Sequence, residues 1–368
     1  MIELQAGQLG DAQAGPRDGK ILEAVTAWRP RFAIGGIDYG QIEGTLARIE
    51  DWTSWCEEWG RTARHYEELA EDAEVDGRME TAASAWRQAF RCWHFGKFVF
   101  TESEDAARTA NDRAVACYKR GAWALRPPAQ KVSIPYGDAL IPGYLRIPEQ
   151  LLSHAPLVLM IVGLDSVKEE MEVPGEYFLS RGMAVLAIDG PGQGEMEECA
   201  NLEPHFESVV EACLDWVQKS DGFRTTRFGL YGRSLGGYFA CRGAAFDDRV
   251  GATVSVSGPY CFADGWDTRG QLSRSAFQRR SGAADGEDAK ERAALFTLEG
   301  VAPRIRRPLL VIHGARDRII RQSAAERIAS EACDAELKVY ADGLHGLTNY
   351  PFEALSYAAD WMAQHLRG

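Results

Sequence analysis

Apolar positions along the chain change period once. From Ile21 to about Ala124 they recur three and four residues apart, as in Leu22, Val25 and Trp28, then Trp52, Trp55, Cys56 and Trp59, then Trp86, Phe90 and Trp93. That spacing predicts amphipathic helices and no strand in this block. Gly35-Gly36 and Gly40 mark a first loop, Asp76-Gly77 a second, and Arg126-Pro127-Pro128 the exit. The Trp and Phe stripes read as core packing, and residues 1 to about 20, polar and Gly-rich, as a frayed arm. A helical N-terminal module over 1–127 is expected, followed by a second domain over 128–368.

Beyond residue 128 strands and helices alternate. Val132 to Pro135 and Ala139 to Ile147 read as two antiparallel strands joined at Gly137-Asp138. Continuous apolar runs then mark buried parallel strands: Leu157–Val162, Met183–Ile188, Phe228–Tyr231, Ala252–Val256, Leu309–Ile312 and, less purely apolar, Leu337–Tyr340. Helix-like segments separate most of them, which predicts an α/β fold with a mostly parallel eight-stranded sheet. Residues 258–303 form a long polar insert between the sixth and seventh strands.

The fifth strand runs into Tyr231-Gly232-Arg233-Ser234-Leu235-Gly236-Gly237 and then a helix-like stretch from Tyr238. This is G-x-S-x-G in the strand, sharp turn, helix setting of a nucleophile elbow, where small residues at 232 and 236 let the turn close. A serine hydroxyl needs a base to take its proton and an acid to hold that base in the right tautomer. In an α/β-hydrolase sheet these follow in the order Ser, Asp or Glu, His. Asp317 falls in the loop after the seventh strand and His345 just past the eighth, so the expected triad is Ser234, Asp317 and His345. Asp342 is the competing acid, but a turn role suits it better. His313, at a strand end, reads as a supporting residue, and His65, His154, His205 and His365 carry no motif.

The oxyanion of an acyl-transfer transition state needs waiting donors. One is the Leu235 N–H, directly after the serine. The other is expected from the loop after the third strand, at the Leu164 N–H, with Gly163 as the alternative register. Asp189-Gly190-Pro191-Gly192-Gln193-Gly194-Glu195 is Gly-rich but lacks phosphate-loop spacing, and reads as a tight turn under the site. His94, in a helix with large residues on several faces, is a substrate-binding candidate because ligand sites gather between domains.

Composition narrows the partners. The net charge of −13 disfavours nucleic acid and anionic membranes, which both require a basic footprint. No apolar stretch reaches the length of a membrane span, and no secretory signal pattern opens the chain, so a cytoplasmic protein is expected. The eight cysteines lack C-x-x-C spacing and read as buried thiols. No metal or organic cofactor is implied, and the expected partner is a small-molecule substrate.

Five segments together resemble one α/β-hydrolase group: GLDSVKEE at 163–170, DGPGQGE at 189–195, GRSLGG at 232–237, HGARD at 313–317 and DGLHG at 342–346. That group includes dihydroxypseudooxynicotine hydrolase of nicotine breakdown and the fungal polyketide-shortening hydrolases, with the fermentation-respiration switch proteins more distant. The resemblance spans roughly residues 20–365. It departs at Val162, where relatives carry a further glycine. It implies cleavage of a carbon–carbon bond beside a carbonyl, in a β-diketone or vinylogous acid, in a pocket between helical module and sheet. It also implies polar substrate contacts from the lid insert, here Asp264 and Asp267, and a homodimer through the helical module. A carboxylesterase, lactonase or acyltransferase remains open, as does a non-catalytic binding module on the same scaffold.

Overall fold

The computed structural model describes residues 18–148 and 155–366. The arm expected at the N-terminus lies, up to residue 17, outside the described residues, as does His154. Five helices come first: α1 (Gly19–Ile34), α2 (Tyr39–Arg48), α3 (Trp55–Val75), α4 (Met79–Lys97) and α5 (Glu104–Gly121). Asp18 caps α1 by accepting from the Lys20 N–H at 2.8 Å and from the Trp52 N–H at 3.1 Å. The aromatic stripes are core, as their spacing predicts: Phe32 lies among Trp55, Trp59 and Phe95, all buried. Two local expectations shift. The buried face of α1 is Ile21, Ala24, Trp28, Arg31 and Phe32, while Leu22 is 60% exposed, so the stripe is rotated by one residue. Gly40 sits in the first turn of α2 instead of a loop.

The sheet has eight strands: β1 (Gln130–Tyr136), β2 (Ala139–Arg146), β3 (Leu157–Ile161), β4 (Ala184–Ile188), β5 (Phe228–Arg233), β6 (Val250–Val256), β7 (Leu309–Gly314) and β8 (Ala335–Tyr340). Their spatial order is β1-β2-β4-β3-β5-β6-β7-β8. The β1–β2 and β2–β4 pairs are antiparallel, and all others are parallel. Successive side chains point to opposite faces, and β3 to β7 are buried on both almost throughout, whereas the edge strands β1 and β8 are partly exposed. Val158 and Met160 meet α6 (Glu172–Leu179) and α12 (Pro351–Leu366). Leu157, Leu159 and Ile161 face α7 (Glu207–Lys219) and α8 (Leu235–Phe246), in a core continuous with that of α1–α5.

The insert between β6 and β7 carries α9 (Gln271–Arg280) and α10 (Gly286–Leu295). Helix α1 reaches it: the Glu23 carboxylate accepts from the Leu272 N–H at the start of α9, at 3.1 Å. Of the cysteines, Cys56, Cys92, Cys117, Cys213 and Cys241 are buried, but Cys199 and Cys333 are exposed, against expectation, because both lie in surface connections.

Lys97 of α4 and Arg280 of α9 both hold Glu197, each at 3.1 Å, tying the helices to the insert. Burial alone would raise the Glu197 pKa, but Arg280 and then Lys97 outweigh it and pull the carboxyl from 4.5 down to about 2. A folded-state pKa below the unfolded value means that the ionised group adds stability above the unfolded pKa and loses it as pH falls through the folded one. Glu197→Gln is therefore expected to be less stable than wild type at pH 7 by about 3 kcal/mol. The gap should close between pH 4.5 and about 2. Urea-unfolding midpoints of both proteins across that range check it.

Candidate active site

Ser234 joins β5 to α8 with φ +58° and ψ −129°, a conformation that costs a non-glycine residue on the order of 1–3 kcal/mol. The chain turns so tightly that a Cβ on Gly232 would lie 1.9 Å from the Gly236 carbonyl oxygen. One on Gly236 would lie 2.2 Å from the oxygen of Ile161. Only glycine fits at either position, which is why the motif needs both. The Ser234 N–H donates to the Val256 carbonyl at 2.8 Å, which anchors the turn. The Leu235 N–H opens α8, at the positive end of its dipole.

The loops after β7 and β8 complete the constellation. His345 Nε2 lies 2.9 Å from Ser234 Oγ, and His345 Nδ1 lies 2.7 Å from Asp317 Oδ2. The other Asp317 oxygen accepts from the Ile319 and Ile320 N–H groups at 2.8 and 2.9 Å. Burial would raise the Asp317 pKa, but attraction to His345, the hydrogen bond with His345 and the Ile320 amide hold it below its usual range. The aspartate therefore stays ionised at neutral pH and fixes the proton of His345 on Nδ1, leaving Nε2 to accept from the serine. Asp342, the competing acid, pairs with Arg316 at 2.7 Å on the surface. His313 is fully buried at the end of β7, and burial pushes its pKa down.

The loop after β3 is held from three sides. Gln193, fully buried, donates to the carbonyls of Val162 and Gly163 at 2.8 and 2.9 Å, so the Gly-rich turn after β4 braces this loop. In a planar trans peptide the N–H points opposite to the carbonyl, so the Gly163 and Leu164 N–H groups both face away from Gln193. Lys168 ends the loop in a buried cluster with Asp189, Glu169 and Glu195, each at 2.7 Å. Arg31 of α1 grips it from above, with Nε and Nη2 on the two oxygens of Glu170 at 2.8 and 2.5 Å and Nη1 on Asp165 at 3.0 Å. Burial would raise the Glu170 pKa, and the Arg31 guanidinium overrides it and holds the carboxyl well below the usual range.

Ser234, His345, Gly163 and Leu164 line one cleft, the concave setting in which small-molecule sites are usually found. Ala27, Trp28 and Arg31 of α1 form its roof. Three expected substrate contacts fall elsewhere. His94 is buried behind Glu170, with Nε2 3.0 Å from its carboxylate, and burial keeps the ring neutral. Its large-faced helix is packed inward instead of toward the cleft. Asp264 lines a separate small hollow with Arg321 and Cys261. Asp267 is exposed and pairs with Lys290 at 3.0 Å. The insert reaches the cleft through Phe262, Arg269 and Ser273 instead. Among the described residues no group of three His, Cys, Asp or Glu side chains has the placement to hold a metal ion.

Comparison with known proteins accords with this geometry. A family model described as esterase FrsA-like matches residues 50–367. The chain belongs to the esterase FrsA-like family. It is 31% identical over 337 residues to 2,6-dihydropseudooxynicotine hydrolase of Paenarthrobacter nicotinovorans, covering 90% of each chain. The crystal structure of a 2,6-dihydroxy-pseudo-oxynicotine hydrolase matches at TM-score 0.83 and 28% identity, over 92% of this chain and 95% of that one. A fungal relative, 20-hydroxy-prefusarin hydrolase of Gibberella moniliformis, is 32% identical over 61% of this chain and 57% of its own length. The fold is thus that of the α/β-hydrolases, with hydrolases as relatives.

Within this family frame, Gln193 lay in a segment already singled out, whereas Arg31 and Arg269 gave no signal, since a buried arginine reads like a surface one. Two substitutions test the site. Asp317→Asn is expected to lower kcat by about 10⁴-fold by releasing the His345 tautomer. A Cβ on Gly163 would come to 3.0 Å from the Arg233 oxygen and 3.4 Å from Ser234 Cβ, so Gly163→Ala presses the loop and the nucleophile turn apart by a few tenths of an ångström. It is expected to cut kcat about 100-fold with a smaller effect on KM. Steady-state kinetics on any turned-over ester measure both.

Proposed function

We propose that the protein is a serine hydrolase that cleaves a carbon–carbon bond beside a carbonyl in an aromatic or polyketide-like ketone. The observation that carries the hydrolase reading is the unbroken chain Asp317, His345, Ser234, which opens into a cleft. The carbon–carbon reading is supported by likeness over nine-tenths of both chains to a pseudooxynicotine hydrolase and by the fungal relative.

Ser234 attacks the carbonyl carbon as His345 Nε2 takes its proton, and Asp317 stabilises the imidazolium. The tetrahedral oxyanion is received by the Leu235 N–H and by the Leu164 N–H, with Gly163 as the neighbouring register. Collapse expels the leaving group and leaves an acyl-Ser234, which water hydrolyses with His345 again as base. The family description favours a second reading as an esterase, because an ester needs from this apparatus only a proton delivered by His345.

The test compares wild type with Ser234→Ala on a short p-nitrophenyl ester and an aryl β-diketone, with products followed by mass. Diketone cleavage that falls at least about 10⁴-fold in the variant is expected. Ester turnover without diketone cleavage would replace this reading with the esterase. Undiminished turnover in the variant would remove the serine mechanism.

A further inference from the structure

The insert after β6 places one unusual cation in the cleft. Arg269 is only 5% exposed, and it lines the same cleft as Ser234 and His345. Its Nη2 donates to the carbonyls of Phe262 at 2.9 Å and Asp264 at 3.4 Å, and its plane lies over the Phe262 ring, 4.2 Å from the centroid. Nε and Nη1 are buried with no hydrogen-bond partner. Arg31, by contrast, has its guanidinium filled by Glu170 and Asp165.

A buried guanidinium with two unused donors is costly unless an anion or a carbonyl oxygen meets it. Burial pushes the Arg269 pKa down to about 10, with Asp317 and Asp264 only partly countering, so the group is still a cation at neutral pH. The adjacent Asp317 carboxylate is already filled by His345 and two amides. The site is therefore built for an anionic oxygen that arrives with the substrate.

The topology says which oxygen. β5, which carries Ser234, lies between β3 and β6. The Gly163–Leu164 loop follows β3 and the insert that carries Arg269 follows β6, so the two segments leave the sheet on opposite sides of the strand that carries the serine. The oxygen of the attacked carbonyl belongs on the amide side. A second carbonyl two carbons along, as in a 1,3-dicarbonyl, extends toward the other.

Resting on the carbon–carbon reading above, we propose that Arg269 is a catalytic residue that receives the enolate oxygen of the leaving group. The Ser234 Oγ–carbon bond forms and the serine proton moves to His345. The carbon–carbon bond then breaks, its electron pair becoming the enolate C=C while the second carbonyl oxygen takes the negative charge against Arg269. His345 returns the proton to the enolate carbon and a ketone leaves. Water then releases the carboxylic acid from Ser234, so one dicarbonyl and one water give one ketone and one acid.

The experiment uses an aryl β-diketone and the p-nitrophenyl ester of the acid that it releases, so both substrates form the same acyl-enzyme and differ only in the group expelled. Wild type, Arg269→Met and Arg269→Lys are compared by the ratio of diketone to ester kcat. The expected result is a fall in that ratio of about 10²–10³-fold in Arg269→Met. A smaller fall is expected in Arg269→Lys, which keeps the charge but loses the planar fork. A ratio unchanged in both variants, whether the two rates fall together or not at all, would overturn the role of Arg269 and leave the carbon–carbon reading standing. Wild type that hydrolyses the ester and cleaves no diketone would overturn that reading and the proposal with it. Should Arg269→Met fail to fold, Arg269→Lys carries the same comparison, with its ester rate as the control for folding.

Discussion

The whole site hangs on a steric constraint where β5 meets α8. The chain reverses so closely that the Gly232 Cα passes over the Gly236 carbonyl, and Ser234 is driven to positive φ. That conformation does three things at once. It lifts Oγ clear of the sheet, leaves the Leu235 amide at the start of a helix, and holds the hydroxyl within 2.9 Å of His345 beyond β8. Its strain is held by the bond from Ser234 to Val256 and by the packing of α8, which is buried from Leu235 to Ala244.

A second layer of order is electrostatic. Glu170 gathers Arg31, His94 and Ser166 out of water, and the buried Lys168 gathers three carboxylates, of which Glu195 is partly exposed. Such clusters contribute little net stability, since desolvation offsets most of the attraction. What they do is punish disorder: removing any partner strands a buried charge. The loop that carries the Gly163 and Leu164 amides is thus fixed by groups that never touch the cleft floor. Since Arg31 and His94 come from α1 and α4, the helices are part of that loop's support.

Much of this was legible in the chain. Buried parallel strands are continuously apolar, which marks β3 to β7; β1 and β2 show by their turn at Gly137-Asp138, and β8, half-exposed, by a less purely apolar run, each to within about two residues. The triad was legible because chemistry and topology constrain it together, each member falling at a strand end. Side-chain direction was less so. Ile21 and Leu22 are equally apolar neighbours, and only tertiary packing decides that Ile21 goes inward. In the insert, Asp264 and Asp267 have the chemistry of substrate contacts, but the path of the loop turns them outward and brings in Arg269. His94 went wrong for a related reason: a histidine among aromatics can be a ligand or the neutral partner of a buried carboxylate, and Glu170 is 76 residues away.

The roof of the cleft has a consequence for how such a protein changes over generations. The reacting atoms are supplied by β5, β7 and β8, whereas Ala27, Trp28 and Arg31 reach in from a helix about 200 residues earlier in the chain. The tools and the gatekeeper are inherited as separate stretches. Drift at Ala27 or Trp28 can retune which molecules are admitted while the proton path from Ser234 to Asp317 stays untouched. A lineage built this way can explore new substrates without first surrendering its capacity to cut them.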